Sequence, residues 1–198
     1  LMVGRNAPRQ ARTSVQLFAS AARLGHPQAM TMTAGLIAAG FGLKQDWAGA
    51  LNLLAAAASR GDARAQSQIK VLGPPKNFSL DQWLGPPPPK MMFEAPRIGV
   101  IERFIAAEVC DWLIEVARGG MARSRIIDSA TGEHRFDEMR TNTSTYIGWL
   151  ESDVIFRLVK ARIAAVLATP VGQQEFPYVL RYEVGQTFAE HFDFLDPA

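Results

Sequence analysis

Residues 187–194 read TFAEHFDF, and His191 and Asp193 stand two apart within them, near the end of a 198-residue chain. On a β-strand, alternate side chains share a face. Thr187, Ala189, His191 and Asp193 would then point one way, and Phe188, Glu190, Phe192 and Phe194 the other. An imidazole and a carboxylate two residues apart on one rigid strand can take adjacent positions on one metal ion, and the small Ala189 leaves room beside it. A second histidine from a distant strand would complete a two-histidine, one-carboxylate set, which leaves three positions on an iron ion open. The tripeptide alone does not select this reading. A solvated histidine beside a solvated aspartate gives the same three letters.

The elements that would hold such a pair can be read from periodicity. YVLRYEV (178–184) alternates as a strand and leads through Gly185-Gln186 into the H-x-D segment, itself predicted to be a strand. SDVIFRLVKARIAAVLATP (152–170) predicts an amphipathic helix, with Ser152 or Asp153 as its N-cap and a stop before Pro170. MRTNTSTYIGW (139–149) is β-rich, RSRIID (123–128) and RIGVIE (97–102) read as strands, and SATGEHRFDE (129–138) as an exposed loop. FIAAEVCDWLIEVARGG (104–120) places Ile105, Val109, Leu113 and Val116 on one helical face and ends at Gly119-Gly120.

The stretch RTNTSTYIGW…FPYVLRYEVGQTFAEHFDF resembles the prolyl 4-hydroxylase branch of the Fe(II)/2-oxoglutarate dioxygenases. The carrying residues are Arg140-Thr141 with Thr143-Ser144, the helix at 152–169, Tyr182-Glu183-Val184-Gly185-Gln186, Phe188, and His191-Phe192-Asp193. The helix containing Cys110 also matches, so the resemblance runs from about residue 97 to 198. It implies Fe(II), held by His191 and Asp193, and 2-oxoglutarate as co-substrate, with ascorbate a candidate reductant. It implies that Tyr182 lines the pocket and contacts the 2-oxoglutarate carboxylate, though a core aromatic is an equal reading of that position. Arg140 would sit near the substrate entrance, or else serve a structural ion pair. His26 and His134 fall in expected loops as solvated residues, and Cys110 is expected to be inert in a helix core.

The resemblance also requires a second histidine and, beyond it, a Lys or Arg for the far carboxylate of 2-oxoglutarate. Only Phe-Leu-Asp-Pro-Ala comes after Asp193. The chain therefore reads as the front half of an oxygenase domain, part of a double-stranded β-helix or jelly roll, and is expected to be inactive by itself.

The first third is built differently. RTSVQLFASAARLGHPQAM (12–30) aligns with AGALNLLAAAASRGDARAQ (48–66) at an offset of 36, matching Leu17 with Leu53, Ala21-Ala22 with Ala57-Ala58, Gly25 with Gly61 and Ala29 with Ala65. A period of this length signals a helical repeat array. The glycines fall where helices would end in the left-handed conformation, and Gly40 and Gly42 would break the chain between helices. The pattern resembles Sel1-like repeats, relatives of the tetratricopeptide repeats. That implies a protein partner for this region, or a brace for the neighbouring domain.

The expectation is thus an α+β chain in three parts. Residues 1–72 form a Sel1-like helical region, residues 73–96 a proline-rich linker stiffened by Pro86 to Pro89, and residues 97–198 the oxygenase portion. A formal net charge of +2 argues against a nucleic-acid partner, and no apolar run reaches the length of a membrane span. The single cysteine, Cys110, fits a reducing compartment, and a cytoplasmic location is expected. The function implied is hydroxylation of a protein or peptide residue, prolyl residues being the best-known target of the branch. Two alternatives stand beside it: a non-catalytic interaction protein with an incomplete oxygenase domain, and an oxygenase of small molecules.

Overall fold

A computed structural model of the protein describes residues 1–4, 8–127 and 131–191. It is mixed helix and sheet. By contacts the chain divides into two units, one formed by Leu1–Leu113 with Gly148–Glu175, the other by Ile114–Ile147 with the residues from Phe176 onward. These units cut the chain differently from the segments that composition suggests.

In the first unit, α1 (Ala11–Arg23), α2 (Pro27–Ala39), α3 (Trp47–Ser59) and α4 (Ala63–Leu72) form successive antiparallel hairpins. The starts of α3 and α4 lie 36 residues after those of α1 and α2, so the sequence offset is also a structural one. Each pair is joined by a three-residue turn. Gly25 and Gly61 hold the same place in those turns with φ of 85° and 88°, a conformation that costs other residues their Cβ clearance. His26 lies exposed in the turn, as expected, and also caps α2, its Nδ1 accepting from the Ala29 amide at 3.4 Å.

The core of this unit is made of small residues and leucines: Ala34, Ala38, Ala50, Leu51, Leu54 and Ala57 are buried together. Val154 and Leu158 of α7 (Val154–Leu167) belong to the same cluster. The N-terminus of α7 is well satisfied there. Asp153, the expected cap, accepts from the Ile155 and Phe156 amides at 3.1 and 3.2 Å, and Gln68 of α4 accepts from the Val154 amide at 3.2 Å. The second oxygen of Asp153 takes hydrogen bonds from Arg64 at 3.3 Å and from Trp112 Nε1 at 3.1 Å. Burial raises the Asp153 pKa against the opposing pull of Arg64 and these donors. Arg157, one turn on, is pushed down to about 10 by burial, which Asp153 opposes. Its guanidinium lies 4.6 Å from the centre of the Trp149 ring.

The proline-rich segment carries regular structure on either side of Pro86 to Pro89. After the short α5 (Leu80–Leu84), its last residues form β1 (Lys90–Glu94), which pairs antiparallel with β2 (Arg97–Val100). The pairing partner of RIGV therefore lies inside the proline-rich stretch. Next comes α6 (Ala107–Arg118).

The second unit holds β3 (Ala122–Arg123), β6 (Thr143–Tyr146) and β7 (Tyr178–Arg181) in one antiparallel sheet with β6 central. The hairpin of β4 (Ile126–Ile127) and β5 (His134–Arg135) stands apart from that sheet, and it places His134 in a strand where composition suggests a loop. The strand expected over 123–128 is thus split in two. The strand expected over 187–194 is reduced, among the described residues, to a single bridge at Phe188. Among the described residues, no helix is long and apolar enough to cross a membrane.

Candidate functional site around His191

The segment carrying His191 is held by the chain just before β6. The Thr141 amide donates to the Thr187 carbonyl at 3.0 Å, the Thr187 amide to Thr141 Oγ1 at 2.9 Å, and the Ala189 amide to the Met139 carbonyl at 2.8 Å. Arg140 and Phe188 form the antiparallel bridge between these bonds. The register is informative. Thr143 pairs with Arg181, so an unbroken ladder would set Arg140 opposite Val184. It faces Phe188 instead, four residues further on. Residues 182–186 therefore leave the ladder and return to it, and the two halves of YVLRYEVGQTFAEH run along the same strand line. The excursion closes on itself: the Glu183 amide donates to Gln186 Oε1 at 2.8 Å, the Gln186 amide to the Glu183 carbonyl at 3.0 Å, and Gly185 takes φ of 88°.

Around this frame the side chains line up. Asn142, fully buried just before β6, accepts from Arg140 Nε at 3.0 Å and donates to the Thr143 carbonyl at 2.9 Å. The Arg140 guanidinium carbon lies 4.6 Å from the centre of the Phe188 ring. Phe188 in turn stacks on His191, ring centres 3.8 Å apart and planes 24° off parallel. His191 Nδ1 lies 2.8 Å from the Ala189 carbonyl. A carbonyl only accepts, so that contact places the proton on Nδ1 and the lone pair of the neutral ring on Nε2. Asp137 shapes the turn that enters this segment. Its carboxylate accepts from the Met139 amide at 2.8 Å and pairs with Arg135, and these donors hold its pKa below the usual value of 3.8.

The chain is similar to plant prolyl 4-hydroxylases. It is 32% identical to probable prolyl 4-hydroxylase 3 of Arabidopsis thaliana over 114 residues, 58% of this chain and 38% of that protein. It is 29% identical to probable prolyl 4-hydroxylase 7 of the same plant over 133 residues, 67% of this chain and 40% of that protein. With prolyl 4-hydroxylase 5 it shares 33% identity over 102 residues, 51% of this chain and 35% of that protein. The chain thus spans about two-fifths of the length of the curated relatives it matches. No family model and no solved structure matches it.

Of the residues that the sequence singles out, the structure brings Arg140 and His191 together through Phe188. Asp193 lies outside the described residues. Tyr182 opens the excursion and is 43% exposed. Arg140 is engaged by Asn142 and Phe188, not by an acidic partner among the described residues. Cys110 is half-buried on α6. Among the described residues, no group of three or more histidines, cysteines or acids gathers as a metal cage. The donor chemistry of His191 nevertheless suits a metal ligand: metal-binding histidines commonly donate the far ring N–H to a carbonyl, which fixes the tautomer and leaves the other nitrogen basic. Sequence patterning gives no reason to single out the side chain of Asn142, and it names Phe188 only as one of the residues that carry the resemblance. The four-residue shift in pairing sets Phe188 opposite Arg140, and the segment after Phe188, which leaves the strand, brings His191 onto its ring.

Proposed function

We propose that the protein is an Fe(II)- and 2-oxoglutarate-dependent dioxygenase that hydroxylates a protein or peptide residue, with prolyl residues the first candidates. The similarity to prolyl 4-hydroxylases at about 30% identity carries the reading. The His191 tautomer and the ordered segment that presents it support it.

In this proposal His191 offers Nε2 and Asp193 its carboxylate as two of three protein ligands. Bound iron would supply the place where the 2-oxo acid and O2 meet, and it is there that cofactor chemistry does what side chains cannot. Tyr182 would reach the 2-oxoglutarate carboxylate, and Arg140 belongs to the substrate side. A second histidine and a basic residue for the co-substrate would complete the set, and neither is assigned to residues 1–198. The 198-residue chain alone would then hold metal weakly and turn over little or nothing. The division into a Sel1-like region (1–72), a proline-rich segment (73–96) and an oxygenase portion (97–198) is part of the same proposal. In it, α7 is the piece of the oxygenase portion that packs into the helical core, and the repeats remain available to a protein partner.

The decisive experiment uses the complete protein. It is expected to convert 2-oxoglutarate to succinate and CO2 only when Fe(II) is supplied, and His191→Ala is expected to abolish that turnover. Turnover of wild-type size in His191→Ala would overturn the assignment. Calorimetric titration with Mn(II), a redox-silent substitute, is expected to show much tighter binding by the complete protein than by the 198-residue chain. Equal affinity would mean that some residue within 1–198 completes the site.

A further inference from the structure

We infer that Arg140 and Phe188 are positioning residues that hold the His191 ring in the plane from which Nδ1 meets the Ala189 carbonyl, and through that contact keep its tautomer. The inference rests on the reading of His191 as a metal ligand only for its consequence, because the contacts themselves involve no metal.

The excursion at 182–186 makes the support necessary. It separates the His191 segment from β7, so the ladder of β6 and β7 does not carry through to residue 188. The backbone is caught again at 187–189, but His191 lies past the last of those bonds, exposed and outside any strand. Two of its contacts bear directly on the ring: the Phe188 face at 3.8 Å and the Ala189 carbonyl at 2.8 Å. The first fixes the plane of the imidazole. The second fixes which nitrogen carries the proton.

Phe188 is itself located by Arg140, and Arg140 by Asn142, which is fully buried beside the central strand and whose carbonyl accepts from the Ser124 amide at 2.9 Å. The order of contacts runs from a rigid interior residue outward to an exposed imidazole. Each partner suits its place by shape. A planar guanidinium can donate through Nε to Asn142 while its face lies on a ring. A phenyl ring can stack on the cation and on the imidazole. A positioning role accounts for both contacts of Arg140. Groups that orient a ligating histidine typically change metal affinity about 10–100-fold when removed.

The test uses the 198-residue chain with 15N-labelled histidine, metal-free, at a pH where the imidazole is neutral. Ring 15N shifts are expected to show His191 as the Nδ1–H tautomer. Phe188→Leu and Arg140→Gln are expected to move it toward the Nε2–H form that free imidazole prefers, while Phe188→Tyr keeps the wild-type spectrum. Arg140→Lys, which retains the charge but lacks the planar fork, should resemble Arg140→Gln. Mn(II) affinity should fall about tenfold in Phe188→Leu and recover in Phe188→Tyr. If Phe188→Leu fails to fold, as judged by circular dichroism, the two Arg140 variants and Phe188→Tyr carry the test. An unchanged tautomer in folded Arg140→Gln and Arg140→Lys would overturn the inference, whatever the metal does. If the tautomer shifts as expected but Mn(II) binds neither wild type nor variants, the positioning role holds and the metal-ligand reading falls.

Discussion

The helical unit and the sheet unit bury their apolar residues to very different degrees. In the first, Ala34, Ala38, Leu54, Val154 and Leu158 are wholly enclosed. In the second, Tyr146, Tyr178 and Leu180 of the β6–β7 pair are 46–59% exposed, and Ile127 and Phe136, in and beside the hairpin, are more than half exposed. The reason is connectivity. An antiparallel helical hairpin covers its apolar face with residues about 20 positions away, and each added helix finds a neighbour at once. A sheet has two faces and needs a second layer before either is dry. Local contacts complete the helical unit, whereas the sheet unit provides an ordered frame for side chains without a comparable core.

The contrast can be broken first at α7. Leu158→Ala removes a fully buried side chain and should destabilise the helical unit by about 3 kcal/mol, read by chemical denaturation. A loss below about 1 kcal/mol would mean that α7 is not part of that core. Asp153→Ala should come next at about 2 kcal/mol. It removes a helix cap and the partner of Arg64, which is itself only part-buried, so the cost sits below that of a fully buried pair. Asp153→Asn, which can still accept from the Ile155 and Phe156 amides, should cost less.

Leu180→Ala in the sheet should change stability by less than about 0.5 kcal/mol, as for surface positions. A loss as large as that of Leu158→Ala would show the sheet face to be covered after all. The smallest effect is the acid dependence of the turn at Asp137. Its pKa is lower in the folded chain, so its contribution to stability is present above the ordinary value of 3.8 and is lost as pH falls through the lowered folded value. A carboxyl 13C titration should place its midpoint below 3.8. A midpoint at or above that value would remove the Met139 amide and Arg135 as its partners.

Much of the helical unit is legible in the sequence because its signals are local. The 36-residue offset, Gly25, Gly61 and the cap at Asp153 are each decided within one turn of helix. The packing of α7 on α2 and α4 is not legible, because an amphipathic face does not say what covers it. Nor is β1: its residues come after four prolines, and its strand character depends on pairing with RIGV across a turn. At the candidate site, residue types and spacing point to His191 and to the segment 139–149 that frames it. The stacking of Phe188 on His191 stays hidden because strict alternation puts the two on opposite faces, and the contact of Arg140 with Phe188 because an unbroken ladder would set Arg140 opposite Val184. A four-residue shift in pairing is a choice of register, and register is decided by partners far away in the chain.

That excursion has a use of its own. Its tip is closed by hydrogen bonds between Glu183 and Gln186, and Val184 projects fully into solvent. β7 before it and the bridge at Phe188 after it keep their pairing without help from it. It is therefore a natural insertion point, where a fluorophore, a spin label or a short grafted peptide at Val184 would ride on the sheet edge within a few residues of His191 and report on that neighbourhood while leaving the ladder intact.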